Sequence, residues 1–368
     1  MKSTGNGQTA INIPQVKPLD EIFQPIEKDL EDVKNTYQSI LYNVAELNPW
    51  NITGMTTQSL INFLKKSSFS SVAVEMGKYL SGQHGKWLRP ALTLLSANTF
   101  GCSINGLVEI ATAMEIIHTA TLLHDDVMDH AFTRRGMPTV AKQFGNSMSI
   151  LMGDLLYTKA YTLLSDYGNI ECQRHLSRAT QEVCLGEITQ NQGVQNYNFS
   201  EEWYLAVVEA KTASLMAACL KLGAVMVGAP EDSIKKIGEF GLAFGTAFQL
   251  QDDVLDLTAS NSQIGKDVGN DMLNGKWTLP VINYIESRGD DCLAELRKEA
   301  DVALKDRKVR EIIGSIKENG SLDYAKGIAA SYAEKAEDVL TQLDGNVVND
   351  KFRDSLRELT RFVIHRDI

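Results

Sequence analysis

Apolar residues recur every three or four positions along most of the chain, which is the period of an α-helix with one buried face. Leu30, Val33, Tyr37, Ile40 and Val44 mark the first clear stripe. Polar, glycine-containing stretches such as FGCSING and SDYGN separate one periodic segment from the next. We find no convincing pair of alternating segments and no hairpin dipeptide between such segments. The pattern predicts an all-α fold, with helices packed around a central space.

The domain organisation follows from the same pattern. Residues 1–18 are polar and contain glycine, so we expect them to be disordered. Residues 19–368 show no change of composition that would mark a second unit, which predicts a single all-α domain. The N-terminus has no signal-peptide core, the first arginine is Arg89, and no apolar segment is long enough to span a bilayer. We therefore expect a cytoplasmic protein without a transmembrane segment.

The charge balance restricts the ligands that the protein can bind. The chain has 36 lysines and arginines against 47 aspartates and glutamates, a net charge of −11, which argues against nucleic acid as the main partner. An anionic ligand must then be bound by a local basic cluster or through metal ions. The five cysteines have no zinc-site spacing and are typical of reduced, buried residues.

Two acidic motifs share the pattern D-D-x-x-D. The first has Asp125, Asp126 and Asp129, and the second has Asp252, Asp253 and Asp256. On a helix the first and fifth positions share a face, and the second lies about 100° around. The preceding segments are apolar and rich in small residues, where unpaired carboxylates repel one another and lose solvation.

Oxygen-only clusters of this kind suit Mg²⁺, which retains water ligands and bridges carboxylates to phosphate. Two facing clusters predict a clamp that holds one polyanion through shared metal ions. A single such motif is also typical of a solvated helix face, so the prediction depends on both copies and on their neighbours.

Basic residues beside glycines complete the pattern of a polyphosphate site. They are Lys86 and Arg89 in GKWLRP, Arg134 and Arg135 in TRRG, Lys211 beside Thr212 in AKTA, and Lys266 and Lys276 in GKDVGNDMLNGKWTLP. Each one alone is typical of a surface cation. Together they indicate diphosphate binding.

These ordered motifs resemble those of the trans-isoprenyl diphosphate synthases, also called polyprenyl synthetases. The resemblance runs from about residue 30 to the C-terminus and includes G-K-x-x-R-P, D-D-x-x-D with R-R-G, K-T, F-Q-x-x-D-D-x-x-D and G-K-x-T-L-P. It implies an isoprenoid-synthase type helical bundle around a deep central cavity, usually in a homodimer. It also implies a prenyltransferase reaction, in which an allylic diphosphate loses pyrophosphate and the carbocation alkylates isopentenyl diphosphate.

The resemblance assigns roles to individual residues. The main Mg²⁺ ligands are Asp125, Asp129 and Asp252, supported by Asp126, Asp253 and Asp256. The residues for the allylic diphosphate are Arg134, Lys211, Thr212, Gln249 and Lys266, with Lys276 nearby. The residues for isopentenyl diphosphate are Lys86, Arg89, His118 and Arg135. The expected catalytic group comprises Asp125, Asp126, Asp129, Asp252, Asp253 and Lys211. The implied cofactor is Mg²⁺, about three ions per active site, with Mn²⁺ as a substitute.

Product length is set in this family by residues one helical turn before the first aspartate. Ala120 and Thr121 stand there, and both are small, so a growing tail can pass toward Ile117 and Met114. This favours a product longer than geranylgeranyl diphosphate, of the class used for quinone side chains, with a peripheral membrane contact for its release. A helix that closes the tunnel is the alternative, and the enzyme would then be a geranylgeranyl or farnesyl diphosphate synthase.

Two other readings compete with a synthase. A class I terpene cyclase shares the fold and one acidic motif, but it lacks the second aspartate-rich motif and G-K-x-x-R-P. A non-catalytic subunit that modulates a partner synthase typically loses one acidic motif. Both motifs are intact here, which favours the synthase.

Overall fold

The computed structural model describes residues 16–44, 69–83, 85–101, 104–196, 199–258, 269–273, 275–288, 302–343 and 348–366. Residues 1–15 of the segment expected to be disordered lie outside this part, as does Lys266. The helices are α1 (Leu19–Phe23), α2 (Glu27–Tyr42), α3 (Phe69–Ser81), α4 (Leu88–Phe100), α5 (Leu107–Met128), α6 (Val140–Phe144), α7 (Asn146–Asp166), α8 (Ile170–Asn196), α9 (Glu201–Val208), α10 (Ser214–Met226), α11 (Glu231–Thr258), α12 (Asn270–Leu273), α13 (Leu279–Arg288), α14 (Val302–Glu318), α15 (Ser321–Thr341) and α16 (Asp350–His365).

The predicted all-α fold is confirmed. Besides the regular helices, a 3₁₀ turn (Gln24–Ile26) joins α1 to α2, and a π-helical turn (Glu209–Ala213) joins α9 to α10. Among the described residues, no helix is both long enough and apolar enough to cross a bilayer.

One small hairpin corrects the sequence analysis, which found no strand pair. β1 (Thr133–Arg134) pairs antiparallel with β2 (Met137–Pro138). The turn residues Arg135 and Gly136 both have positive φ angles, 51° and 76°, as tight hairpin turns require. Strands of two residues are too short to produce an alternating pattern, which is why the sequence did not reveal them.

The centre of the bundle is built from helices that are buried on nearly every side. All residues of α4 except Arg89 are buried, and so are residues 110–117 of α5. Helix α5 packs along α7, α10 packs against α4 and α11, and α11 also packs along α15. A second apolar cluster joins α9 and the end of α11 to α13, α14 and α15. Helices α5 and α11 are thereby held firmly where each ends in an acidic motif.

Candidate active site

A central cavity with two lobes lies where these helices end. We name the lobe of about 540 Å³ the acidic lobe, because its lining includes Asp125, Asp129, Asp252, Asp253, Asp256 and Asp271. We name the lobe of about 680 Å³ the basic lobe, because its lining includes Arg89, His118 and Arg135. The two lobes share lining residues, among them Lys86, Asp125, Arg134, Lys211, Asp252 and Arg366. They therefore form one continuous space.

The first acidic motif lies at the C-terminal end of α5. Asp129 caps the helix, and its amide donates to the carbonyl oxygen of Asp125 at 2.8 Å. Both side chains line the acidic lobe. Asp126 is instead buried, and its Oδ1 accepts from Nε and Nη2 of Arg134 at 2.8 and 2.7 Å. Asp125 and Asp129, at the first and fifth positions of the motif, thus line the lobe, whereas Asp126, at the second position, binds the hairpin that carries Arg134.

The second acidic motif lies near the end of α11 and divides in a similar way. The side chain of Asp252 is 41% exposed, whereas Asp253 is only 5% exposed. Asp253 accepts from the hydroxyl of Tyr204 at 2.5 Å and from Nε2 of Gln249 at 2.8 Å. Oε1 of the same Gln249 accepts from Oγ1 of Thr212 at 2.9 Å. Asp253 is therefore held by neutral donors, while Asp252 and Asp256 line the acidic lobe.

Cations neutralise the carboxylates within the cavity. Nζ of Lys276 lies 2.5 Å from Oδ1 of Asp129, and Nη2 of Arg366 lies 2.5 Å from Oδ1 of Asp252. Lys211 forms an ion pair with the buried Glu187, and its Nζ donates to Oε1 of Gln190 at 3.1 Å. The pairs of Lys276 and Arg366 join residues that are 147 and 114 positions apart in the sequence.

The charge of Asp125 is destabilised by its surroundings. Burial raises its pKa to about 7, Lys211 acts in the opposite direction, and Glu187 and Asp129 raise the pKa further. Burial lowers the pKa of Lys211, but Asp125 and Glu187 outweigh it, so that this pKa is raised overall. At neutral pH Lys211 is therefore charged, whereas the carboxyl group of Asp125 is only partly ionised.

The basic lobe gathers the residues predicted for isopentenyl diphosphate. Lys86 and Arg89 flank Trp87, whose φ of 55° turns the chain into α4. Nη1 of Arg135 donates to the carbonyl oxygen of Gln83 at 3.2 Å. Burial, together with Arg89 and Arg135, lowers the pKa of His118 well below its ordinary value. The imidazole is therefore neutral and supplies hydrogen bonds rather than charge.

The chain-length residues lie at different depths. Thr121 lines the basic lobe together with Val183 and Phe248. Ala120, Ile117 and Met114 are 0%, 1% and 0% exposed and are not part of the lining of either lobe. Of the predicted set, Thr121 is the residue whose substitution changes the cavity directly.

Sequence reasoning missed Glu187, Tyr204 and Arg366. Each makes a charged or buried hydrogen-bonding contact to a predicted site residue, namely to Lys211, Asp253 and Asp252. None of the three belongs to a motif with fixed spacing. Arg366 follows α16 and lies 114 positions from Asp252, so no local pattern connects the two.

The donor set fits Mg²⁺. The carboxylates supply oxygen, the atom that Mg²⁺ prefers. Among the described residues, no three His, Cys, Asp or Glu side chains converge into a ready-made metal cage. Mg²⁺ at phosphate sites usually takes one or two carboxylates and completes its shell with water and phosphate. Asp125 with Asp129, and Asp252 with Asp256, match that arrangement from two sides of the acidic lobe.

Comparisons with known proteins agree with this geometry. Residues 70–315 match the family model described as polyprenyl synthetase. The chain is 38% identical over 271 residues to a geranylgeranyl diphosphate synthase of Methanosarcina mazei, covering 72% of this chain and 82% of that protein. It is 33% identical over 293 residues to the octaprenyl diphosphate synthase of Escherichia coli, covering 80% of this chain and 90% of that protein.

A solved structure shows the same fold. It is a polyprenyl synthase of Caulobacter crescentus in complex with calcium and isoprenyl diphosphate. The match has a TM-score of 0.81 at 30% sequence identity and covers 97% of this chain and all of that one. Both the fold and the sequence motifs therefore point to the same family.

Asp125→Asn should stabilise the metal-free protein at pH 8. The folded-state pKa of about 7 lies above the ordinary carboxyl value, so the wild type loses stability as the pH rises toward 7 and loses no more above it. Asparagine keeps the shape without the charge. We expect the free energy of unfolding to rise by about 1–3 kcal/mol at pH 8, since one pKa unit corresponds to about 1.4 kcal/mol.

Urea denaturation in the presence of a chelator, from pH 5 to pH 8, measures this difference. The gain should shrink steadily from pH 7 down to pH 5. Asp354→Asn, a change on the exposed surface of α16, is the control. A gain for Asp125→Asn that is independent of pH would contradict the origin assigned to it.

Proposed function

Because this chain belongs to the polyprenyl synthetase family of prenyltransferases, we propose that it condenses an allylic diphosphate with successive isopentenyl diphosphate units, in a Mg²⁺-dependent reaction, to a trans-polyprenyl diphosphate. The observation that carries the proposal is the shared cavity. Two opposed carboxylate pairs line its acidic lobe, and a separate set of cations lines the adjoining basic lobe. Two diphosphates fit such a cavity side by side, one in each lobe.

The acidic lobe is the site for the allylic diphosphate. When bound, Mg²⁺ supplies positive charge between the carboxylates and the diphosphate and stabilises the leaving group. Lys211, Thr212 and Lys276 line the same lobe and are within reach of diphosphate oxygens. Arg134, fixed by Asp126, adds a cation at the border with the basic lobe, and Lys266 belongs to the same set by family resemblance.

Reaction begins with cleavage of the bond between C1 of the allylic substrate and the diphosphate oxygen. The electron pair leaves with the pyrophosphate, whose growing negative charge is stabilised by Lys211, Lys276 and Arg134. The remaining allylic carbocation reacts with water unless water is excluded. Leu122, which lines both lobes, and Phe248, which lines the basic lobe, serve that purpose.

The basic lobe is the site for isopentenyl diphosphate. Lys86, Arg89 and Arg135 provide charge-assisted hydrogen bonds, and the neutral His118 provides a further one. The double bond of isopentenyl diphosphate donates its electron pair to C1 of the carbocation, forming the new carbon–carbon bond. A proton then leaves the adjacent carbon and restores a double bond, with the released pyrophosphate as the base.

Arg366 belongs to the same set of diphosphate cations. Its side chain is 3% exposed, lines both lobes and stacks 4.2 Å from the centre of the Phe248 ring. Burial lowers the pKa of Lys86, and Arg366 lowers it further. Both cations line both lobes. We propose that Asp252 would help to hold the metal, and that Arg366 donates hydrogen bonds to the incoming diphosphate.

We further propose that the protein acts as a homodimer in the cytoplasm. Helices α7 and α8 carry apolar side chains that a partner would cover, since Ile150, Leu151, Leu185 and Ile188 are 42–58% exposed. A peripheral membrane contact would receive the apolar product as it leaves.

The proposed function is tested by incubating the purified chain with isopentenyl diphosphate, Mg²⁺ and an allylic primer, either farnesyl or geranylgeranyl diphosphate. Pyrophosphate release should require both substrates and the metal, and should stop when a chelator is added. Release from the allylic diphosphate alone, with a cyclic product, would favour a terpene cyclase. No release from any pair would favour a non-catalytic subunit.

The two adjacent arginines should separate kinetically. Arg134→Lys should raise the Michaelis constant of the allylic substrate about tenfold, because lysine loses one of two parallel hydrogen bonds. Arg135→Lys should raise the Michaelis constant of isopentenyl diphosphate by a similar factor. Lysine is chosen so that the buried Asp126 keeps a cationic partner. Initial rates over a matrix of both substrate concentrations measure the separation, and equal effects of both variants on both substrates would contradict it.

Product length is the second part of the proposal. We propose a product longer than geranylgeranyl diphosphate. Support comes from the small side chain of Thr121 in the lining of the basic lobe, one turn before Asp125. Similarity to both a geranylgeranyl and an octaprenyl diphosphate synthase is compatible with a long or a short product, so the residues in the lining carry this part of the proposal.

Thr121→Phe should shorten the product. The ring would occupy space in the basic lobe that the tail needs, while every charged residue of the site stays in place. Thr121→Val keeps the size and should leave the product length unchanged. Extraction and chromatography of the prenyl alcohols measure the distribution. A folded Thr121→Phe variant with products of wild-type length would show that the tail does not pass Thr121.

A further inference from the structure

Tyr204 contacts the second acidic motif from outside every recognised sequence motif. It lies on the short helix α9, is 5% exposed, and its hydroxyl donates to Oδ2 of Asp253 at 2.5 Å. This phenolic group therefore joins α9 to α11.

The contact is part of a closed chain of hydrogen bonds. From Asp253 the chain continues through Gln249 to the hydroxyl of Thr212. Thr212 lies in the π-helical turn that directly follows α9, so the chain returns to the segment on which it began. π-helical turns occur mainly at functional sites, where they alter the direction of a few side chains.

The closed chain fixes two groups that line the acidic lobe and that the reaction needs. Lys211 precedes Thr212 in the π-helical turn, and Asp252 precedes Asp253 on α11. If the link between Tyr204 and Asp253 is broken, α9 with its π-helical turn can move relative to α11. A buried carboxylate also loses one of its donors, which is costly in an apolar environment.

We propose that Tyr204 is a positioning residue, which holds Lys211 and Asp252 at the separation that a metal-bound diphosphate requires. The hydroxyl acts through Asp253 and does not touch the substrate. This inference rests on the proposed function and deepens it, because it concerns the allylic half of the same site. The basic lobe is outside the closed chain, so isopentenyl diphosphate binding should not depend on Tyr204.

Tyr204→Phe removes a single oxygen atom and tests the proposal. Half-saturation by Mg²⁺ and the Michaelis constant of the allylic substrate should each rise about tenfold, consistent with the loss of one hydrogen bond to a buried carboxylate. The Michaelis constant of isopentenyl diphosphate should stay unchanged. Tyr284→Phe is the matched control, because Tyr284 is 5% exposed in the same apolar cluster and its hydroxyl makes no hydrogen bond within the described residues.

A binding measurement separates this inference from the proposed function. Calorimetric titration of Mg²⁺ with inorganic pyrophosphate should show about tenfold weaker binding for Tyr204→Phe and unchanged binding for Tyr284→Phe. If the wild type binds pyrophosphate but turns over no substrate pair, the proposed function fails while this comparison still decides the role of Tyr204. An unchanged Tyr204→Phe variant would overturn the inference alone.

A double-mutant cycle with Asp253→Ala, which removes the acceptor altogether, tests whether the hydroxyl acts through that carboxylate. The double variant should bind no more weakly than the weaker single variant, because both changes break the same link. Effects that multiply would mean that the two residues act independently and would overturn the proposal. The proposal would also be overturned if Tyr204→Phe failed to fold while Tyr284→Phe folded normally. The hydroxyl would then support the fold rather than the site.

Discussion

Like charges gathered in one cavity need opposite charges close by, and this constraint shapes the site. Carboxylates on α5 and α11 line a space that apolar helices enclose, where unpaired charge is costly. Arg134, Lys276 and Arg366 form ion pairs with aspartates of the two acidic motifs, and Lys211 pairs with Glu187. These partners are the cations that the proposed reaction brings to the diphosphates. We propose that substrate binding exchanges these ion pairs for contacts between the same cations and the diphosphates.

The two adjacent aspartates of each acidic motif have different roles, because a buried carboxylate needs partners close by. Asp125 and Asp252 lie one position before Asp126 and Asp253, so each is rotated by about 100° from its neighbour on the helix. Asp125 and Asp252 line the cavity, and Asp126 is buried and holds Arg134. Asp253 also reaches the acidic lobe, but it is 5% exposed and accepts from Tyr204 and Gln249. The motif thus combines a group that faces the ligand with a group that fixes the surrounding residues. That division explains why the spacing matters as much as the acidity.

The sequence predicted those features that follow from local periodicity or from ordered motifs. The all-α fold came from the 3.6-residue period. The charged side chains expected at the site, as far as the structure describes them and apart from Asp126, line one cavity. Two-residue strands, by contrast, have no detectable alternation, so the hairpin at Arg135 was missed. Glu187, Tyr204 and Arg366 were missed because their partners are distant in the chain. The depth of Ala120 was not predictable either, since the 100° between it and Thr121 separates a packed position from a lining one.

The most direct test of the exchange of ion pairs is a crystal structure of the protein with Mg²⁺ and inorganic pyrophosphate. The account predicts that Lys276 leaves Asp129 and that Arg366 leaves Asp252, each separating beyond about 4 Å, the limit of an ion pair. Both cations should then contact pyrophosphate oxygens, and the two aspartates should bind metal. Persistence of both ion pairs in a complex that contains the metal and pyrophosphate would contradict the account.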